Sequence, residues 1–314
     1  MAHHWMHISR DIAHNECRPG AIGDGAASAV ALEIDARLQG ALDFAQPACE
    51  LILKHFSAAG TRFDIKDDGT PVTIADKGAE EILRREIERA FGDDGIVGEE
   101  FGTLAAKVGP GQSGYRWVLD PIDGTKPFTH GVPLFGLLIG IEHGSDELGW
   151  TCDAGLCVLP ALGEAVFAQR GCGAWHVGQL NRDYGPLASR ARVSAHTDLG
   201  AATCCYTSMN GFERKGRGEV PRRIGQRFGE VRGWSDCYGY VLVATGRVEA
   251  MIDPAMKPWD VSALVPIITE AGGVMTGWKG ETGSSMPDCI AGNVAGHAAL
   301  VGITAGEGGA VAER

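Results

Sequence analysis

A chain of 314 residues, 44% hydrophobic and 22% charged, has the composition of an ordinary globular protein with length for one large or two modest domains. That balance excludes a disordered chain, a collagen-like fibre and a multi-span membrane protein. With 28 basic and 40 acidic side chains the formal charge is −12, which repels nucleic-acid phosphates and makes any phosphate-bearing ligand awkward unless a cation mediates.

Residues 1–30 carry four histidines and Gly/Pro breakers without periodicity, and are expected to form a flexible extension. From Val30 apolar residues recur at helical spacing through Leu38, Leu42, Leu51 and Phe56, with Pro47 ending, kinking or tolerated within the run. A polar turn over Lys66–Pro71 precedes a long helix from Thr73 to Phe91. Its expected apolar face is Ile74, Ile82, Ile87 and Phe91, with Glu80–Arg84 and Glu81–Arg85 pairs outside. Short apolar runs at Gly95–Val97, Tyr115–Leu119, Leu134–Glu142, Gly155–Leu159 and Ala165–Gln169 read as strands, the last three as hairpins. Residues 170–190 read as a loop-rich connection. A helix is expected over Tyr238–Thr245, a strand over Val248–Ile252, and a last helix over Asp260–Glu270 that stops at Gly272-Gly273. The tail from about Ala305 reads as frayed. The division expected is therefore 31–190 and 191–304, with the two ends, 1–30 and 305–314, outside both.

Nine cysteines, an odd number with no Cys-x-x-Cys pair, point to reduced thiols and a cytoplasmic setting. The longest apolar stretches, such as Val132–Ile141, are too short to cross a bilayer. No membrane and no nucleic-acid partner are expected.

The chemistry concentrates in carboxylates. Asp260 alone reads as a helix N-cap, Thr73 and Asp76 have capping-box spacing, and Glu99-Glu100 alone is a charged loop. Asp120-Pro121-Ile122-Asp123-Gly124-Thr125 is different. Its carboxylates, three apart around a rigid proline turn expected to end the strand, can converge on one point, where they repel unless a hard cation such as Mg2+ joins them. The Gly124-Thr125 step then offers N–H groups and a hydroxyl to a phosphate if a helix begins there. Metals at such a site neutralise phosphate charge and activate water, so no Cys or Ser nucleophile is needed.

These segments, with Gly98-Glu99-Glu100, Thr70-Pro71-Val72-Thr73-Ile74-Ala75-Asp76 and Trp259-Asp260 followed by Gly272-Gly273, resemble the Mg2+-dependent, lithium-sensitive phosphatases typified by inositol monophosphatase, in order and spacing over roughly residues 35–302. The resemblance implies an α+β fold, a layered αβαβα sandwich of the inositol monophosphatase / fructose-1,6-bisphosphatase type. It further implies two or three Mg2+ ions per site: Glu99, Asp120 and the Ile122 carbonyl holding a first, Asp120 with Asp123 and Asp260 a second, and Glu99 helping to hold a weaker third. Thr125, oriented by Asp76, would position or deprotonate an attacking water in direct in-line displacement. The N–H groups of Gly124 and Thr125 would hold phosphate oxygens, and a homodimer is implied.

Within the family the chain looks most like the histidinol-phosphate phosphatase branch, through Gly124-Thr125-Lys126-Pro127-Phe128, Gly131-Val132-Pro133-Leu134-Phe135-Gly136, Ser235-Asp236-Cys237-Tyr238-Gly239-Tyr240 and the Leu264–Gly273 segment. Pro127 departs from the Asn or Ser usual there and removes a backbone donor. Asp236 and Asp253 match positions that face substrate and would meet the ammonium and imidazole of L-histidinol phosphate. The alternatives are an inositol-1-phosphate or other small sugar-alcohol monophosphatase, and a non-catalytic Mg2+- or phosphometabolite-binding module.

Overall fold

The computed structural model describes residues 35–57, 59–66, 71–109, 114–178, 188–234 and 236–306. The expected extension over 1–30, the tail beyond Gly306, Thr70 of the N-terminal motif and Ser235 lie outside the described residues. Helix α1 (Ala36–His55) begins where the Asp35 side chain accepts the Arg37 N–H, and Pro47 sits inside it. It buries Leu38, Ala41, Phe44, Ala45, Ala48 and Ile52 along one side. Arg37 ties it down by pairing with Asp94 at 2.7 Å, and Asp94 also accepts the indole N–H of Trp117 at 3.0 Å.

After the two-stranded ribbon of β1 (Asp64–Ile65) and β2 (Pro71–Val72), helix α2 (Ile74–Ala90) starts on a complete Thr73/Asp76 capping box. Its buried side is Ala75, Ala79, Leu83 and Ile87. This corrects the expected face: Ile74 is 71% exposed, and Ile82 and Phe91 only border the core. Alanines at the seam let α2 close tightly on α1, which rotates the larger residues to the margin. Glu80, expected outside, is fully buried with Arg84 against it.

Eight strands follow: β3 (Gly95–Gly98), β4 (Gly102–Leu104), β5 (Gly114–Asp123), β6 (Gly136–Ser145), β7 (Gly149–Leu159), β8 (Glu164–Gln169), β9 (Gly173–Val177) and β10 (Ala188–Arg190). They form one sheet in the order β10-β9-β8-β7-β6-β5-β3-β4. All neighbours are antiparallel except β3 and β5, which run parallel. Two expectations are corrected here. Residues 170–190 are not simply a loop, because β9 and β10 extend the sheet edge after a turn in which Gly171 and Gly173 take positive φ. Nor does Pro121 end β5: the strand continues to Asp123, and Pro121 sits where the pairing with β6 slips between Asp120 and Asp123, so no ladder bond is lost to it.

A second sheet, ordered β12-β11-β13-β15-β14, holds β11 (Thr203–Tyr206), β12 (Glu230–Arg232), β13 (Ala250–Asp253), β14 (Val274–Thr276) and β15 (Cys289–Gly292). The turn after β5 forms α3 (Thr125–Thr129), whose Phe128 joins the core of the first sheet, and the helices of the second half are α4 (Met209–Arg214), α5 (Val220–Arg227), α6 (Asp236–Ala244), α7 (Pro258–Val261), α8 (Leu264–Glu270) and α9 (Val294–Thr304). The helix expected over Asp260–Glu270 is thus two short ones, with Pro258 at the start of α7 and Pro266 in the first turn of α8, where a missing N–H costs little. It is not the last, because α9 follows. Two glycines in α9 dilute its sequence signal, yet a side chain at Gly296 would collide with the Glu249 carbonyl at 2.6 Å.

Alternation along β6 and β7 explains the layering. Leu137, Ile139, Ile141, Leu156 and Val158 face α1 and α2, whereas Leu138, Cys157 and Leu159 join Val241, Leu264 and Ile267 of the central helices, Met251, Cys289 and Ala291 closing that layer from the second sheet. Beyond the second sheet, Cys204, Ile252 and Ile290 pack on Phe212, Ile224, Leu300 and Ile303. The result is the five-layer αβαβα sandwich anticipated from the motifs. Cys49, Cys152, Cys157, Cys204, Cys205, Cys237 and Cys289 are free thiols, and no helix among the described residues is long and apolar enough to cross a membrane.

Gly140 and Gly155 face each other across β6 and β7. A Cβ on Gly155 would stand 2.0 Å from the Ala263 carbonyl, and one on Gly140 2.2 Å from the Ser262 hydroxyl. The bare strands therefore admit the α7–α8 backbone directly. Gly155→Ala is expected to destabilise the protein by about 3 kcal/mol in urea unfolding; an unchanged midpoint would contradict this close approach.

Candidate active site

Because β3 and β5 are parallel with Gly98 opposite Leu119, their carboxyl ends deliver Glu99 and Asp120 side by side. The turn after β3 is pinned from below. Buried Glu80 accepts the N–H groups of Glu100 (2.8 Å) and Phe101 (3.2 Å). A Cβ on Gly98 would lie 2.0 Å from that carboxylate, so only glycine fits. Asp120 accepts the Ile122 N–H at 3.1 Å, folding the bulge so that Asp123 returns beside it. Gly124 then takes φ +85°, which aims the chain into α3. Asp260 arrives from the other sheet's side: in the first turn of α7 its carboxylate accepts the Lys257 N–H at 2.7 Å.

Carboxylate oxygens of Asp120, Asp123 and Asp260 all lie within 4.8 Å of one another. Glu99 lies near enough for its charge to act on both Asp120 and Asp260. Burial pushes both Asp120 and Asp123 well above the usual carboxylate range, with the charges of Glu99, Asp123 and Asp260 adding to the first and those of Asp236 and Asp260 to the second. Burial likewise raises Asp260 to about 7, with Glu99 and Asp236 adding to it. Four clustered carboxylates and the Ile122 carbonyl make a hard-oxygen donor set, and this set fits a divalent cation such as Mg2+.

Asp76 lies buried beyond Glu99, with a pKa raised to about 6 chiefly by burial. Its carboxylate accepts the Thr73 N–H at 2.8 Å and the Thr73 hydroxyl at 2.5 Å. The Thr125 hydroxyl donates to the Ile122 carbonyl at 3.2 Å. The two residues expected to act as a pair are thus both at the site, each engaged with its own neighbour. Pro127 occupies the third position of α3, in a first turn whose N–H groups have no intrahelical acceptor, so the donor it removes is one the helix does not use.

On the far side, Cys237 N–H donates to Asp123 at 2.5 Å. The preceding residue, Asp236, takes φ +45°, the one positive value among the described non-glycine residues. Asp253, buried at the end of β13, accepts the Tyr240 hydroxyl at 3.2 Å, and burial drives its carboxyl pKa well up. A cleft of about 290 Å³ joins Asp123, Asp236, Asp253 and Asp260, with Cys237 and Met256 also lining it. Trp150 packs on Arg116, Trp175 on Arg190, and Trp278 is buried against Phe212. Trp234, 40% exposed, is two residues from Asp236.

Sequence reasoning missed three residues. Lys66 places its ammonium between Glu99 (2.8 Å) and Glu100, and those partners hold its pKa up against the lowering effect of burial. Glu80 read as a surface pair, and Tyr240 carried no polar signal in an apolar helix.

The inositol monophosphatase family model matches residues 34–307. The chain is 40% identical to a histidinol-phosphatase of Chlorobaculum parvum over 77% of this chain and 86% of that one. It is 36% identical to a histidinol-phosphatase of Streptomyces coelicolor over 80% and 90%. Among solved structures, an IMPase of Thermotoga maritima superposes with a TM-score of 0.71 at 26% identity, covering 86% of this chain and 97% of the other.

With Asp76 and Asp260 raised to about 6 and about 7, the metal-free folded state binds more protons than the unfolded chain between about pH 4 and 7, and it loses stability as pH rises through that window. Mg2+ competes with those protons. The gain in melting temperature on adding Mg2+ is therefore expected to be small at about pH 5 and to grow toward about pH 8. A gain independent of pH would count against carboxylate ligation.

Proposed function

The chain belongs to the inositol monophosphatase family and is a phosphoric monoester hydrolase, and we propose that the ester it cleaves is L-histidinol phosphate, giving L-histidinol and phosphate in histidine biosynthesis. The observation that carries this reading is the second acidic wall. Asp236 and Asp253 line the cleft beside the metal-binding carboxylates and are additional to the carboxylates assigned to the metal. Carboxyl groups there suit a leaving group that bears an ammonium and an imidazole, whose positive charge favours their ionised form. The names of the relatives described above support the same choice.

Glu99, Asp120, Asp123, Asp260 and the Ile122 carbonyl would hold Mg2+, in two or three ions. Bound there, Mg2+ supplies charge neutralisation to the phosphate and lowers the pKa of water. The chain's own residues do the rest. Gly124 and Thr125 present backbone N–H groups to phosphate oxygens. The Thr125 hydroxyl, fixed by Ile122, and the Asp76 carboxyl would orient the attacking water and take up its proton. Asp236 and Asp253 hold the departing amino alcohol. The buried free thiols of Cys49, Cys152, Cys157, Cys204, Cys205, Cys237 and Cys289 support a cytoplasmic setting, and the family supports a homodimer.

The second reading is an inositol-1-phosphate or other small sugar-alcohol phosphatase. It is favoured by the Tyr240–Asp253 hydrogen bond, a pair able to serve a ring of hydroxyls as well as a cation.

Asp123→Asn is expected to abolish Mg2+-dependent phosphate release while circular dichroism stays that of the parent; retained turnover would refute the ligand assignment. A panel of histidinol phosphate, inositol 1-phosphate, fructose 1,6-bisphosphate and adenosine 3′,5′-bisphosphate tests the substrate. Histidinol phosphate should give the highest kcat/KM, and Asp236→Ala should raise its KM by about tenfold or more, with a smaller effect on inositol 1-phosphate. Equal effects on both would remove Asp236 as the selecting residue.

A further inference from the structure

Behind the metal-binding carboxylates lies a charged group that the chemistry above does not use. Glu142 is fully buried on β6, on the same face as Gly140. Its position follows a slip in the pairing with β7 between Ile141 and Glu142. One oxygen accepts the Arg116 guanidinium at 2.7 Å, and Arg116 stands directly opposite it on β5. The other oxygen accepts the Ser262 hydroxyl at 2.8 Å and faces the Cys152 thiol at 3.6 Å. Ser262, itself fully buried, caps α7 and follows Asp260 by two residues.

This arrangement answers a question that the packing leaves open. Residues 262–263 rest on Gly140 and Gly155, a bare patch of backbone. Such a patch permits close approach but offers no knob or hole to fix the position of α7 along the strands. A hydrogen bond to a carboxylate that is itself held by a guanidinium is directional and charge-assisted, and it fixes that coordinate. A buried ion pair is a costly way to join two layers, since apolar residues of like volume serve stability as well. Its retention here is explained if placement is what it supplies.

We propose that Glu142, held by Arg116, is a positioning residue for the metal centre: through the Ser262 hydroxyl it sets where α7 lies on the sheet, and so brings the Asp260 carboxylate to Asp120 and Asp123. This rests on the reading of those carboxylates as Mg2+ ligands. It assigns the Arg116–Glu142–Ser262 chain the work of the outer hydrogen bonds that orient ligands at metal sites, where loss of one partner costs about 10–100-fold in metal affinity.

The test is calorimetric titration of Mg2+ into the full chain, with Mg2+ activation of phosphate release measured in parallel. Ser262→Ala removes the hydroxyl alone, and Glu142→Gln removes the charge. Val241→Ala, in the same central layer but not lining the cleft, controls for lost stability. Ser262→Ala and Glu142→Gln should each weaken Mg2+ binding by about tenfold and raise the half-activating Mg2+ concentration equally. At saturating Mg2+ kcat should stay within about twofold of the parent, because the ligands themselves are intact. Val241→Ala should lower the unfolding midpoint and leave Mg2+ affinity unchanged. A folded Ser262→Ala protein with parental Mg2+ affinity would overturn the proposal even if Glu142→Gln failed to fold. Equal weakening by Val241→Ala would overturn it too. Parent protein that bound no Mg2+ would refute the metal reading itself, and this inference with it.

Discussion

The mutual repulsion of carboxylates gathered in a buried space is the constraint from which the rest of this molecule follows. Glu99, Asp120, Asp123 and Asp260 come from three separate stretches of chain, and where the three aspartates converge burial alone already disfavours their charge. A fold accepts such an arrangement only where rigid surroundings hold it together, and a hard divalent cation converts the repulsion into binding energy. The parallel pairing of β3 with β5, the slip in β5 around Pro121 and the left-handed turn at Gly124 each bring an oxygen or a donor to that point.

The surroundings are correspondingly polar where the core would otherwise be apolar. Glu80 reaches up from α2 to hold the Glu99 turn, and Glu142 holds the segment behind Asp260. Both carry an arginine partner. Glycines complete the scheme by absence of side chain: Gly98 makes room for Glu80, and Gly140 with Gly155 makes room for residues 262–263. Stability and placement are thus divided, with the apolar layers supplying the first and a few buried ions the second.

Much of this was legible in the sequence. The convergence of carboxylates was legible because Asp120 and Asp123 stand close together around a proline and Asp260 sits in a short motif. The strands β6 to β8 were legible as apolar runs between turn residues. Glu80 was not, since a Glu–Arg pair at helical spacing looks the same whether the helix turns it outward or inward. The face of α2 was misread for a related reason: large apolar residues dominate a sequence pattern, while small alanines decide how closely two helices pack. β9 and β10 were obscured by glycines that serve as turns, and α7–α8 by prolines that are harmless only in a first turn. Lys66 has meaning only once the chain brings it against Glu99 and Glu100.

The last strand of the second sheet is not an edge strand. β15 is inserted between β13 and β14 and pairs with both, so the layer that carries Asp253 stays open until residue 292 has been made. During synthesis, which proceeds from the amino terminus, Glu99, Asp120 and Asp123 leave the ribosome far ahead of the strand that completes their opposite wall. A nascent chain therefore spends most of its translation with an unfinished cage.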